Sequence, residues 1–120
     1  MKPTDKELEI LQVLWKMGSA TVRQVHEHIS AEDVSAYTTT LKIMQIMNEK
    51  GLVDREKEGK THIYHPLVSE ESTQNQLIDR LVTRAFRGSA KKMMMQMLDS
   101  HHYTDDELKE IMEYIKRLNK

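Results

Sequence analysis

The stretch Ser35-Ala36-Tyr37-Thr38-Thr39-Thr40-Leu41-Lys42-Ile43-Met44, continued through Asn48-Glu49-Lys50-Gly51-Leu52-Val53, decides the fold. At about 100° per residue, Ala36, Thr40, Ile43, Met44 and Met47 fall on one side of a helix and Thr38, Lys42, Gln45 and Glu49 on the other. One side packs and the other faces out. The outward side carries small hydroxyls in its first turn and a lysine one turn later, which is what a helix needs to enter a DNA major groove and meet base edges and phosphates. After Gly51, Val53-Asp54-Arg55-Glu56-Lys57 and Lys60-Thr61-His62-Ile63-Tyr64 predict two strands around a Glu58-Gly59 turn, a hairpin tipped with lysine. A helix followed by a charged hairpin is the pattern of a winged helix. The expected architecture is therefore mostly α with a small β-hairpin.

Boundary signals divide the rest of the chain. Thr4 with Glu7 forms a capping-box pattern for a first helix, whose stripe of Leu8, Leu11, Leu14 and Trp15 ends at Met17-Gly18. Thr21 with Gln24 repeats the pattern for a second helix, with Val22, Val25 and Ile29 inward and Arg23, Glu27 and His28 outward. A short polar link, Ala31-Glu32-Asp33-Val34, supplies the turn of a helix-turn-helix unit before the helix that opens at Ser35. Pro66 closes the second strand and Ser69 opens a new helical region. There Leu77, Ile78, Leu81, Val82, Ala85 and Phe86 form one apolar stripe, Gly88 interrupts it, and Met93, Met94, Met95, Met97 and Leu98 follow. Thr104 with Glu107 caps a last helix in which Leu108, Ile111, Met112, Ile115 and Leu118 recur at three- and four-residue spacing. The expected division is a winged-helix domain over residues 1–68 and a helical dimerisation arm over 69–120, with Leu77, Leu81, Phe86, Leu108, Ile111, Ile115 and Leu118 in the seam.

Composition narrows the function. A chain of 120 residues with 38% hydrophobic residues and a single Trp and Phe has a small core of its own, which favours burial against a partner subunit. It has no cysteine, so neither a disulfide framework nor a thiolate metal site can form. No stretch approaches the roughly 20 apolar residues that span a bilayer, and the expectation is a cytoplasmic protein without membrane insertion. Net charge is the awkward quantity: residues 1–66 hold nine Lys and Arg against ten Asp and Glu, and the whole chain has a formal charge of −1. A nucleic-acid binder is usually basic, so binding must rest on local placement, with Glu49, Glu56 and Glu58 near the outward helix at some cost. Affinity is expected to be modest and strongly salt-dependent.

Enzymatic and metal readings find little support. There is no Gly-rich phosphate loop, no HExxH and no nucleophile with a base and an orienting partner, and no cofactor is expected. His26 and His28 diverge on a helix, and His62 and His65 fall on opposite faces of a strand. His101-His102 beside Asp105 and Asp106 lack a spaced third ligand, and the methionine run is packing material. The candidate DNA-contacting residues are Thr38, Thr39 and Lys42, with Tyr37 at the helix entrance, Arg55 where the wing begins, and Lys57 and Lys60 at its tip. Hairpin tips also carry charge simply for solubility, so the wing residues have two readings.

Trp15, Ala20-Thr21-Val22-Arg23-Gln24-Val25-His26-Glu27, Ala36-Tyr37-Thr38-Thr39, Glu49-Lys50-Gly51-Leu52-Val53 and the pair Tyr64 and Pro66, in that order and spacing, resemble the penicillinase and methicillin-resistance repressors, the BlaI and MecI family. The resemblance implies an N-terminal winged helix, a C-terminal helical dimerisation region and a homodimer that represses by binding a palindromic operator. It also implies a partner, a membrane sensor-protease whose activation leads to cleavage of the repressor. Three departures stand out. Ile46 occupies a position that is often basic in the family, the cysteine-rich tail of copper-responsive relatives is missing, and Gln96-Met97 stands where well-studied relatives carry an Asn-Phe cleavage pair. Two other functions fit the residues: a winged-helix regulator answering to a small ligand enclosed by its apolar arm, and a protein-interaction module.

Overall fold

The computed structural model describes residues 2–29 and 36–119. In chain order these form α1 (Asp5–Met17), β1 (Ala20–Thr21), α2 (Val22–Ile29), α3 (Tyr37–Lys50), β2 (Val53–Glu58), β3 (Thr61–Pro66), α4 (Glu70–Ala85), α5 (Ala90–Ser100) and α6 (Asp105–Leu118). The expected link over 31–34 lies outside the described residues. The architecture is a winged helix followed by further helices, as the sequence predicts.

Capping chemistry sets the helix starts. Thr4 and Glu7 exchange hydrogen bonds at α1, Thr21 and Gln24 do so at α2, and Thr104 and Glu107 at α6. Each pair satisfies amides that the first turn leaves without intrahelical partners. Gly18 ends α1 at φ 86°, and Gly51 ends α3 in the left-handed conformation, with the amide of Leu52 reaching back to Met47 O. Ser69 accepts from the Ser72 amide at the entry to α4, and Ser89 from the Lys92 amide at α5.

Three features differ from the sequence-based expectation. The sheet has three strands in the order β1-β3-β2, because Ala20 and Thr21 pair with Tyr64 and Ile63. Two residues show no alternation, and Thr21 already serves as a cap, so this strand leaves no periodic signal. The hairpin turn is Gly59-Lys60, one residue later than expected, since Glu58 pairs with Thr61. Gly59 takes φ 64°, which suits the two-residue turns that match strand twist. In α1 the buried stripe is Glu7, Ile10, Leu11 and Leu14, while Leu8 and Trp15 are only half-buried. The stripe is thus rotated by about one residue, and Trp15 uses its edge position to donate from Nε1 to Val68 O at 2.9 Å.

The core of the winged helix joins Ile10, Leu11, Leu14, Val25, Met44, Met47, Leu52, Val53 and Tyr64, drawn from all three helices and both hairpin strands. Glu7 is buried at its edge, where Lys50 Nζ lies 3.0 and 2.9 Å from the two carboxylate oxygens. Burial pushes the Glu7 carboxyl up, but the Lys50 hydrogen bond, the Thr4 amide and the Lys50 charge together outweigh it and hold the pKa below its ordinary value. Asn48 Nδ2 donates to Val53 O and fixes the passage from α3 into the wing.

Two compact units make up the chain, Met1–Leu77 and Ile78–Lys120, so the first contains the winged helix and the opening turns of α4. In the second, Ile78, Leu81, Met94, Met95, Met97, Leu108, Met112, Ile115 and Leu118 are all exposed. Leu77, Phe86 and Ile111 are half-buried. A shallow apolar groove of about 580 Å³ runs along α6, lined by Met94, Ile111, Tyr114, Ile115 and Leu118 among others. Among the described residues no helix is long and apolar enough to cross a membrane.

Candidate nucleic-acid interface

α3 separates its two faces largely as its periodicity predicts, except that Ala36, expected on the packed side, precedes the helix and is exposed, and Ile43 is only half-buried. Thr40, Met44 and Met47 are buried, and Tyr37, Thr38, Thr39, Lys42, Gln45, Ile46 and Glu49 are exposed. The helix begins at Tyr37 behind Ala36, which has no side-chain oxygen for a cap. Thr38 and Thr39 stand in that first turn, and Lys42 follows one turn along. Ile46 is 37% exposed on the same outward side.

The entrance of α3 is held by α2 through residues that the periodicity reading assigned only to an outward face or left aside. Arg23 places its guanidinium carbon 5.1 Å from the centre of the Tyr37 ring. His26, one turn along, meets the same ring edge-on at 5.8 Å between centroids and shares a 2.9 Å hydrogen bond with the Thr40 hydroxyl. That bond satisfies the only polar atom of a side chain that is 2% exposed. The i, i+3 spacing of Arg23 and His26 was the available signal, because it puts both on one edge of α2. His28 bonds Gln24 O instead, so the two helical histidines do diverge.

Pairing in the wing sorts charge by face. Arg55 lies opposite Tyr64 and Lys57 opposite His62, while Asp54, Glu56 and Glu58 lie opposite His65, Ile63 and Thr61. Successive side chains on a strand point to opposite sides, so Arg55 and Lys57 share the face of the buried Val53 and Tyr64, and the three carboxylates share the other. Register thus places Glu56 and Glu58 on the face away from Val53 and Tyr64. Arg55 donates from a guanidinium nitrogen to the Tyr64 hydroxyl at 3.2 Å, and Lys60 sits in the turn. Gln96 and Met97 lie inside α5, remote in sequence from this surface, with the Tyr103 hydroxyl donating to Met97 O at 2.7 Å.

The family model of the penicillinase repressor matches residues 3–117. The penicillinase repressor of Bacillus licheniformis is 22% identical over 113 residues, which cover 94% of this chain and 88% of that protein. The transcriptional regulator BlaI of Mycobacterium tuberculosis is 30% identical over 97 residues, 79% of this chain and 70% of the relative. The solution structure of the DNA-binding domain of the repressor BlaI is similar with a TM-score of 0.51 at 28% identity, covering 58% of this chain and 90% of the other. The chain belongs to the penicillinase repressor family, a family of transcriptional repressors and not of enzymes.

Proposed function

We propose that this protein is a homodimeric repressor of the cytoplasm that binds a palindromic DNA operator. The observation that carries the reading is the division of α3, with Thr40, Met44 and Met47 buried and Thr38, Thr39 and Lys42 exposed beyond an uncapped first turn. Thr38 and Thr39 serve base edges and Lys42 a phosphate. Tyr37, Arg55, Lys57 and Lys60 flank them from the helix entrance and the wing. Residues 1–68 do the reading, and 69–120 assemble the dimer through Leu77, Leu81, Phe86, Leu108, Ile111, Ile115 and Leu118. The exposed apolar side chains of the second compact unit support this seam, since isolated chains rarely leave so many large apolar groups in water on one short segment.

Release follows from cleavage between Gln96 and Met97 by a membrane sensor-protease. The bond lies within α5, so the helix must open locally before a protease can engage it. The test of the main reading is a titration of the purified protein against the DNA upstream of its own gene at several salt concentrations. Binding that is tighter than to unrelated duplex, with a steep negative slope of log affinity on log salt, is the expected result. Failure to bind any duplex at low salt overturns it.

A further inference from the structure

Methionine is the chain's only sulfur residue: there are nine, and no cysteine. Burial sorts them between the two compact units. Met44 and Met47 are fully enclosed in the winged-helix core, whereas Met94, Met95, Met97 and Met112 of the second unit are between 46% and 58% exposed. Met17, at the end of α1, is exposed as well. Two of these open sulfurs stand on the surface proposed for assembly. Met94 lines the groove along α6 beside Ile111, Ile115 and Leu118. Met112 follows Leu108 by four residues and precedes Ile115 by three, so it shares their side of α6. Met95 sits about 100° round α5 from Met94 and does not line that groove. Thioethers fill irregular apolar contacts well, and they are also the groups that a peroxide converts to sulfoxides.

We propose that Met94 and Met112 form an oxidation site through which peroxides control assembly, an effect that rests on the homodimer reading. The sulfur lone pair attacks one peroxide oxygen, so that an S–O bond forms as the O–O bond breaks. Sulfur gives up two electrons, and the departing hydroxide takes the proton of the transferred oxygen and leaves as water. Both sulfurs are open in the single chain, and a small oxidant meets them whenever two copies separate. Reclosing the seam then buries a polar sulfoxide oxygen among Leu108, Ile111 and Ile115, a desolvation cost that the thioether did not carry. Oxidised chains are therefore held apart, since a modification that disfavours one state shifts the population to the other. Met44 and Met47 are shielded, so the winged helix keeps its fold while its assembly is lost. Sulfoxide reductases return the thioether, which makes the change reversible.

The test treats the full chain with hydrogen peroxide and follows three readouts: peptide mass spectrometry for the oxygen gained at each methionine, sedimentation for assembly, and Trp15 fluorescence for the fold of the winged helix. Met94 and Met112 should gain oxygen well before Met44 and Met47, and the dimer should weaken about tenfold or more while the Trp15 signal holds. Incubation with methionine sulfoxide reductases should restore the dimer. The variant with both Met94→Leu and Met112→Leu keeps the apolar volume and cannot form these sulfoxides. It should assemble like untreated wild type and stay assembled after peroxide, although Met17 and Met95 are still oxidised. Oxidation of Met44 and Met47 as fast as Met94 and Met112 overturns the site, and so does a double variant that dissociates on treatment as wild type does. An untreated dimer that survives full oxidation of Met94 and Met112 overturns the site alone. Untreated wild type that stays monomeric at every concentration overturns the homodimer reading and the site's effect together.

Discussion

Glu7 has two tasks: it closes the capping box of α1 and it anchors Lys50 from the last turn of α3. The capping role is written in the Thr4–Glu7 spacing, whereas the ion pair spans 43 residues of sequence and no local pattern announces it. Lys50→Met should cost about 3 kcal/mol, because the carboxylate stays buried without its cation, and urea unfolding at pH 7 measures the loss. The folded pKa of Glu7 is depressed, so its contribution is present above the unfolded carboxylate pKa and drains away as pH falls through the folded one. Unfolding curves through that acid window should show the wild type losing stability that Lys50→Met has already lost. On the outward face, Lys42→Ala should lower the salt slope by about one per half-site, whereas Thr38→Ala should mainly relax sequence preference. Equal slopes for wild type and Lys42→Ala would take Lys42 out of the interface. The faces of α3 were legible because fourteen residues give nearly four turns of periodicity. His26 was less so: its spacing from Arg23 places both on one edge of α2, but its partners Tyr37 and Thr40 lie on another helix.

Among elements, legibility followed length. α1, α3 and α6 each carry three or more turns and at least one end signal; caps placed the starts of α1 and α6 and glycines the ends of α1 and α3, whereas α3, expected to open at Ser35, begins at Tyr37 without a side-chain cap. β1 has two residues, so its existence depends on β3 offering an edge, a fact of tertiary structure. The turn shifted by one residue because Gly59 suits either central position of a two-residue loop, and only the pairing of Glu58 with Thr61 decides between them. The second half of α4 has an apolar stripe with Leu81 at 48% exposure. If a second copy covers it, Leu81→Asp places an unpaired charge in that seam and shifts the protein toward monomer, lowering operator affinity with it. Sedimentation of the variant as an undiminished dimer would move the seam to α6.

For the whole molecule, the proposed switch predicts that a chain ending at Gln96 keeps its winged helix and loses its assembly. The removed residues include Leu108, Ile115 and Leu118, all exposed within one chain. Unfolding followed by Trp15, the single tryptophan, should remain close to wild type, since its partner Val68 is retained. Operator affinity should fall tenfold or more, on the order of what joining two half-site readers gains. Normal dimerisation and binding by this truncation would exclude cleavage there as the switch. A last consequence concerns the strand order of charges in Asp54-Arg55-Glu56-Lys57-Glu58. Delete Lys57 while the turn stays fixed, and parity reverses: Arg55 moves to the carboxylate face, and Asp54 and Glu56 move to the opposite one. The formal charge would move only from −1 to −2, yet the face that carried Arg55 and Lys57 would carry two carboxylates. Val53 would leave the core in the same step, so one parity governs both packing and sign. A lineage that protects its core against insertions in this hairpin therefore protects its electrostatics without separate selection.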